Sequence, residues 1–391
     1  MKLLLYLKLT FLSVVLLAVV SCSTKKTENQ ILATELDNFF SEAFNPNGPG
    51  GAVLVMINDS IVYSKGYGLA DLETREPITS KTLFNLGSIS KTFVANGILL
   101  LAEQGKLALE DSIIKYFPEF RDKSLAQKVK IKHLLTHTSG LPDIRNVASD
   151  TVFYLTAKDA ENWAPITHAD SLLFEPGSQF EYSNPAYNGL ALIIEKVSGM
   201  KWQQFIAEQI FKKAGMQEST ITDGPHPESG VSHAYVMNKG EWTQDDYGEE
   251  PTFAAAGNGG VWSSVEELAL YERAIWNATF LPREIIDESR TAKRFDNWKG
   301  TQPFEASWSW FTPGEKGEAY SPMIGWSWFV GVTPRGEKIV GHTGSQGGFL
   351  CNYVSIPDKK FFFVILCNAP LDVYGFSNKV MEITAAHDEN P

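Results

Sequence analysis

Strand-like sequence in this chain is confined to its two ends. Near the N-terminus, "GGAVLVMINDSIVYSKGYGLADL" reads as two strands turning at Asn58 and Asp59. Strand character returns only towards the C-terminus, in "IGWSWFVGVTP", "EKIVGHTG", "GFLCNYVSIP" and "KFFFVILCN". Between these ends the spacing is helical or loop-like: "KTFVANGILLLAEQG", "KIKHLLTHTSG", "PAYNGLALIIEKVSG" and "WQQFIAEQIFKKAG" each stop at a glycine near their end. Another helical spacing, "ILATELDNFFSEAFN", precedes the first strands. Strands must pair, so those of the two ends have to meet. The predicted fold is α+β: an antiparallel sheet built from both chain ends, flanked by helices, with a mainly helical region inserted. The sheet region covers about 31–90 and 253–391, the helical region about 91–252, and a cleft between two such regions is a common place for a small-molecule site.

The start of the chain belongs to export. It carries an early lysine, an apolar run from Leu9 to Val20, then small and polar residues, a run short of a comfortable span of about 20 residues. The end of that run, "VVSC", resembles the lipobox at which bacterial lipoproteins are cleaved and lipidated. This implies a signal peptide at 1–21, lipid on Cys22, a polar tether at 22–30, a folded domain at 31–391, and a place in the bacterial cell envelope (periplasm), held at the membrane. No second long apolar run follows, so membrane contact is expected through the N-terminal lipid alone. The net charge is −12, and loss of Lys2 and Lys8 with the signal peptide makes the balance more acidic, so nucleic acid and anionic bilayer surfaces are not expected partners. The sequence leaves oligomeric state open.

Cys351 and Cys367 lie on two apolar runs joined by "DKK", which reads as a hairpin. A three-residue loop sets the two cysteines face to face, and the strain of a direct cross-strand bridge favours two buried thiols over a disulfide.

The chemistry-bearing question is which serine matters. Four Ser-x-x-Lys pairs occur: Ser23 with Lys26, Ser88 with Lys91, Ser112 with Lys115 and Ser198 with Lys201. Ser23 lies in the tether, Ser112 in a polar connection, and Ser198 at a helix end before Gly199. Only Ser88 opens a long apolar helix after a strand and turn. There, residues three apart share a face, the helix N-terminus favours negative charge, and a desolvated lysine can serve as base to a serine hydroxyl. The competing reading is a serine cap with a solvated lysine.

Two further motifs bear on that choice. In "FEPGSQFEYSNPAYNGLAL", Pro176 and Gly177 turn, "QFEYSN" is extended and Pro185 begins a helix, so Tyr182 and Asn184 point the same way. A phenol beside a lysine ammonium is drawn towards phenolate, and an amide can hold a substrate carbonyl; the alternative is a core tyrosine and a capping asparagine. In "VGHTGSQGGF", His342, Thr343 and Gly344 end a strand whose extended edge can pair with a peptide-like substrate. If charged, His342 pairs with a substrate carboxylate, which makes binding pH-dependent near its ordinary pKa of about 6.5; the alternative is a structural histidine before a turn.

In the order Ser-x-x-Lys, Tyr-x-Asn, His-Thr-Gly, these motifs resemble the family of class C serine β-lactamases, D-alanyl-D-alanine carboxypeptidases, D-aminopeptidases and related esterases. The likeness runs from about Gly51 to Ala369 and includes "KIKHLLTHTSGLPD", "FEPGSQFEYSN", "AAGNGGVWSSVEELA" and "IGWSWFVG". It implies a β-lactamase/transpeptidase-like fold and an acyl-enzyme without metal or organic cofactor. By the same resemblance Ser88 is the nucleophile, Lys91 and Tyr182 share acid-base work, Asn184 positions substrate, and the N–H groups of Ser88 and Ser345 form an oxyanion hole. Histidine at 342, where the β-lactamases usually carry lysine, points towards peptidase or esterase members. The function expected is a serine hydrolase acting on D-amino-acid peptide, β-lactam or ester bonds; the alternatives are a non-turnover penicillin-binding or peptidoglycan-sensing module and a carboxylesterase.

Other signals carry less. His133 and His137 are four apart, but "LLT" between them offers no glutamate, so they read as loop anchors rather than zinc ligands. The two "WSWF" runs, from Trp308 and from Trp326, read as sheet core and cleft rim. Ser263 and Glu266 read as a capping box.

Overall fold

The computed structural model describes residues 28–147, 149–245, 252–299, 323–333 and 335–388. The expected signal peptide, Cys22 and the run at Trp308 lie outside the described residues. Residues 28–30, assigned to the tether from sequence, are already helical: their polar side chains form the exposed first turn of α1, which spans 28–43.

Seven antiparallel strands form the central sheet: β1 (Gly51–Ile57), β2 (Ser60–Tyr67), β3 (Met323–Ile324), β4 (Phe329–Val332), β5 (Lys338–Gln346), β6 (Phe349–Ile356) and β7 (Phe361–Cys367). Their order is β3-β4-β5-β6-β7-β1-β2, so the first strand lies against the last, Gly51 opposite Cys367 and Ile57 opposite Phe361. Asn58 and Asp59 both have positive φ, 51° and 66°, the twist a two-residue hairpin turn requires. β1 and β7 read as unbroken apolar runs because both faces of the sheet are covered. Ala52, Leu54 and Met56 face the helical region, whereas Val53 and Val55 face Leu36 and Phe40 of α1 and Val373 and Val380 of the C-terminal helix, Val373–Asp388.

The hairpin between β6 and β7 corrects the expected facing of the two cysteines, although both are buried free thiols as expected. Its loop holds four residues, 357–360, with Lys360 left-handed at φ 44°, and Ile356 pairs with Phe361. The extra residue shifts the register by one, so Cys351 pairs with Leu366 and Cys367 with Leu350. The thiols therefore point to opposite faces, buried and free.

Within the helical stretch, α2 (Ser90–Glu103) is buried from Ser90 through Leu101, its polar Lys91, Thr92 and Asn96 included. Each large apolar side chain so buried contributes about 1.5–3 kcal/mol. α2 crosses α3 (Asn184–Ser198) so closely at Gly97 that a Cβ there would sit 2.8 Å from the Cδ1 atoms of Ile194 and Ile206. On another side, Phe93 stacks on Tyr271 of α4 (Val265–Trp276), with centroids 4.2 Å apart.

Strands also occur where none was expected. Phe84–Asn85, Val261–Ser263 and Thr220–Ile221 form a small sheet, and Tyr235–Asn238 pairs with Glu241–Gln244. At two to four residues each they are too short to establish an alternating pattern. Ser263 belongs to one of them. The cap of α4 is instead Ser264, accepting from the Glu267 N–H, and the Glu267 carboxylate accepts from the N–H groups of Gln217, Glu218 and Ser219.

Candidate active site

Among residues 82–101, every one is buried except Ser88. It lies in a single 3₁₀ turn, Gly87–Ile89, between the Phe84–Asn85 strand and α2. Neither the turn nor α2 has a side-chain cap, which removes the capping explanation for Ser88. The turn depends on Gly87, whose φ is 49° and whose N–H donates to Asn85 Oδ1 at 2.8 Å.

That turn abuts β5. A Cβ on Gly87 would stand 2.6 Å from the Ser345 nitrogen, and one on Gly344 would overlap the Leu86 carbonyl oxygen and lie 3.4 Å from the Ser88 nitrogen. Two glycines therefore let the Ser88 and Ser345 backbones come together. Among the described residues, β4 pairs with β5 only as far as Gly341, so His342–Gln346 keep one edge outside the ladder beside Ser88.

One helical turn into α2, Lys91 is fully buried, with Nζ 2.9 Å from Ser88 Oγ and 2.7 Å from the Asn258 carbonyl oxygen. Burial, aided by the Arg145 guanidinium, drives its pKa well below the usual lysine value. Nζ also lies 5.3 Å and 5.8 Å from the ring centres of Tyr182 and Tyr187. As a free amine, Lys91 would keep an N–H on the Asn258 carbonyl while its lone pair faces the Ser88 hydroxyl. The other Ser-x-x-Lys pairs within the described residues are engaged elsewhere. Ser112 donates to the Gln127 carbonyl and Lys115 pairs with Asp111, while Lys201 pairs with Glu195.

Tyr182 stands beside the same serine, whose hydroxyl opposes the larger effect of burial on the phenol's pKa. Burial raises its pKa, so the expectation of a phenolate is corrected, while burial of Lys91 shifts that ammonium in the direction of the free amine. The preceding chain is pinned by His137, whose carbonyl accepts the Glu181 N–H at 2.9 Å and whose Nδ1 accepts the Ser183 N–H at 3.0 Å. Ser183, not Asn184, caps α3, accepting from the Ala186 N–H. Asn184 stands at the first position of α3, partly exposed. His133 plays the anchoring part expected of it, accepting the Lys130 N–H at 3.1 Å.

His342 is 1% exposed and neutral. Burial lowers its pKa to about 3, and Nδ1–H donates to the Thr343 carbonyl at 2.6 Å. The expectation of a titrating cation at this position therefore gives way to an uncharged imidazole packed beside Phe329. The Thr343 hydroxyl hydrogen-bonds with Tyr374 of the C-terminal helix, and Ser345 is exposed at the edge. Sequence reasoning missed Asn258, Arg145 and Tyr187; only the glycine cluster "GNGG" hinted at a tight turn around Asn258. Among the described residues, no group of three or more His, Cys, Asp or Glu is arranged to hold a metal, and no helix is long and apolar enough to cross a membrane.

The family model described as Beta-lactamase matches residues 36–379. The chain belongs to the beta-lactamase family. Within the family it is similar to Penicillin-binding protein 4* of Bacillus subtilis (strain 168), 28% identical over 340 residues that cover 82% of this chain and 68% of that protein. Further curated relatives are longer, the chain spanning 35% of their length. Among solved structures, the octameric penicillin-binding protein homologue from Pyrococcus abyssi superposes with a TM-score of 0.75 at 25% identity, over 90% of this chain and 77% of that one. The D-amino acid amidase from Ochrobactrum anthropi SV3 gives 0.71 at 19% identity, over 93% and 100%, a likeness of fold. The β-lactamase/transpeptidase-like fold expected from the motifs is the one present, and it is a serine hydrolase fold.

Proposed function

We propose that this family member is an acyl-enzyme hydrolase of amide and ester carbonyls in D-amino-acid derivatives. The observation that carries the reading is the buried Lys91 Nζ 2.9 Å from the Ser88 Oγ, on the one residue of its segment that reaches the surface. Ser88 attacks the carbonyl carbon and its proton passes to Lys91. The oxyanion is held by the N–H groups of Ser88 and Ser345. As the tetrahedral intermediate collapses, Tyr182 gives its proton to the departing nitrogen or oxygen and regains one through Lys91. Water then attacks the acyl-Ser88 ester by the same route and restores the serine. Asn184 and the backbone of Thr343 and Gly344 orient the acyl chain along the open edge of β5.

The D-amino-acid preference draws on the amidase and penicillin-binding relatives. The uncharged His342 favours substrates read by their carbonyl and side chain over substrates read by a terminal carboxylate. The test joins intact-mass detection of acylation by a penicillin to turnover of a D-amino-acid amide, a D-Ala-D-Ala peptide and a short-chain ester. Turnover of the amide or ester, lost in Ser88→Ala, supports the reading. Stable acylation with no turnover of any substrate would instead favour a penicillin-binding sensor.

We further propose that the protein works in the cell envelope, held by lipid on Cys22. Cys22→Ser should move it from the membrane to the soluble envelope fraction, and a variant that still sediments with membranes defeats this assignment.

A further inference from the structure

Lys91 leans on the Asn258 carbonyl, and that carbonyl belongs to a short turn, Ala256–Gly259, whose placement traces back to one buried carboxylate. Asp159 is 6% exposed and far from the reacting serine in sequence. Its Oδ1 accepts from the Gly257 N–H at 2.8 Å and from Asn188 Nδ2 at 2.6 Å, and its Oδ2 accepts from Trp202 Nε1 at 2.8 Å. Asn188, in α3, completes the frame: its Nδ2 also donates to the Ala255 carbonyl at 3.3 Å, and its Oδ1 accepts from Asn258 Nδ2 at 3.1 Å. The turn is pressed onto this frame, since a Cβ on Gly257 would lie 2.8 Å from the Ala191 Cβ and 3.1 Å from Asp159 Oδ1.

We propose that Asp159 is a positioning residue for Lys91, acting through Gly257 and Asn188 to hold the Asn258 carbonyl where it orients the lysine nitrogen. The proposal rests on the reading of Lys91 as base. Three N–H donors converge on Asp159 and ask nothing back, a demand that only an acceptor-only group meets in full. An ion-pair explanation is not required: Lys158, its neighbour in sequence, pairs with Asp223 instead. Burying a carboxylate is costly unless it is fully hydrogen-bonded, which makes a purely space-filling role for Asp159 a poor use of the site.

The test separates position from charge. Asp159→Asn must turn its NH2 group towards one of the three donors. Adding Trp202→Phe removes one donor and lets the amide oxygen keep Gly257 and Asn188. In turnover of the best substrate, Asp159→Asn should lose about 10–100-fold in kcat with KM within about threefold, Trp202→Phe alone should stay near wild type, and the double variant should recover most of the loss. A folded Asp159→Asn protein with wild-type kcat overturns the proposal. So does a folded double variant as slow as the single one, which would assign the effect to charge. Should Asp159→Asn fail to fold, the double variant alone decides on the same criterion. Lys91→Ala in the same assay tests the underlying reading separately: if it turns over at the wild-type rate, the base assignment fails whatever Asp159 does.

Discussion

The imidazole of His137 lies flat on the phenol ring of Tyr182, centroids 4.2 Å apart and planes 24° from parallel. His137 holds a left-handed backbone, φ 55°, and its Nδ1 is fixed by the Ser183 N–H, so the ring is a rigid backing for the tyrosine. His137→Phe keeps a stacking ring but strands the Ser183 N–H, and His137→Ala removes the backing altogether. We expect kcat to fall in the order wild type, Phe, Ala, by about tenfold or more for Ala, while KM changes little. Steady-state kinetics check the order, and an alanine variant with wild-type kcat shows that Tyr182 needs no such support.

Lys91→Arg should be as inactive as Lys91→Ala. The side chain sits in a site that expels charge, and arginine cannot give up its proton there. Loss of about 10³-fold or more in acylation rate is expected for both variants. Substantial activity in the arginine variant would make the lysine a fixed charge rather than a base.

His342 sets a pH dependence of stability rather than of binding. Its folded pKa, about 3, lies below that of an unfolded histidine near 6.5, so on acidification the unfolded chain takes the proton first. The stability it contributes is complete above about pH 6.5 and drains away as pH falls towards 3. Between pH 6.5 and 5 the loss from this residue amounts to at most ~2 kcal/mol. Urea midpoints at the two pH values should converge in His342→Phe relative to wild type. KM for a carboxylate-bearing and a neutral substrate should share one pH profile between about 6 and 8, and a slope confined to the acidic substrate would restore a charged His342.

Two glycines can be separated by what a methyl group would meet. Gly87→Ala forces a left-handed alanine against the Ser345 nitrogen and should cost more than about 2 kcal/mol and most of the acylation rate. Gly199, the end of α3 at φ 73°, has nothing within 4 Å. Gly199→Ala should cost only about 1 kcal/mol and leave acylation unchanged. Thermal melts and probe-labelling rates distinguish the two, and equal effects would mean that the junction between the Ser88 turn and β5 is not sensitive.

Much of this architecture is legible because it is written in long patterns. β1 and β7 are continuous apolar runs, α2 is a long and mainly apolar helix, and Ser88 is the one Ser-x-x-Lys serine at the head of such a helix. What stayed hidden depends on single residues or on distant partners. One extra loop residue reverses the facing of Cys351 and Cys367. The raised pKa of Tyr182 and the lowered pKa of Lys91 follow from burial beneath segments around His137, Tyr187 and Arg145, which no local spacing encodes. Asp159 looks like any helix-opening aspartate until Gly257 and Asn188 are seen beside it.

The pairing of β1 with β7 has a bearing on how the protein comes into being. Gly51 and Cys367 are 367 − 51 = 316 positions apart, so the centre of the sheet closes over one of the longest loops this chain can make. Such distant contacts are slow to form. β5, which supplies Ser345, joins the sheet through β6 and β7, so the Ser88 turn can exist long before the strand edge opposite it. A nascent or unfolded chain would thus carry Ser88 without the Ser345 backbone beside it, and on the function proposed above turnover would begin only when the last strand docks beside the first.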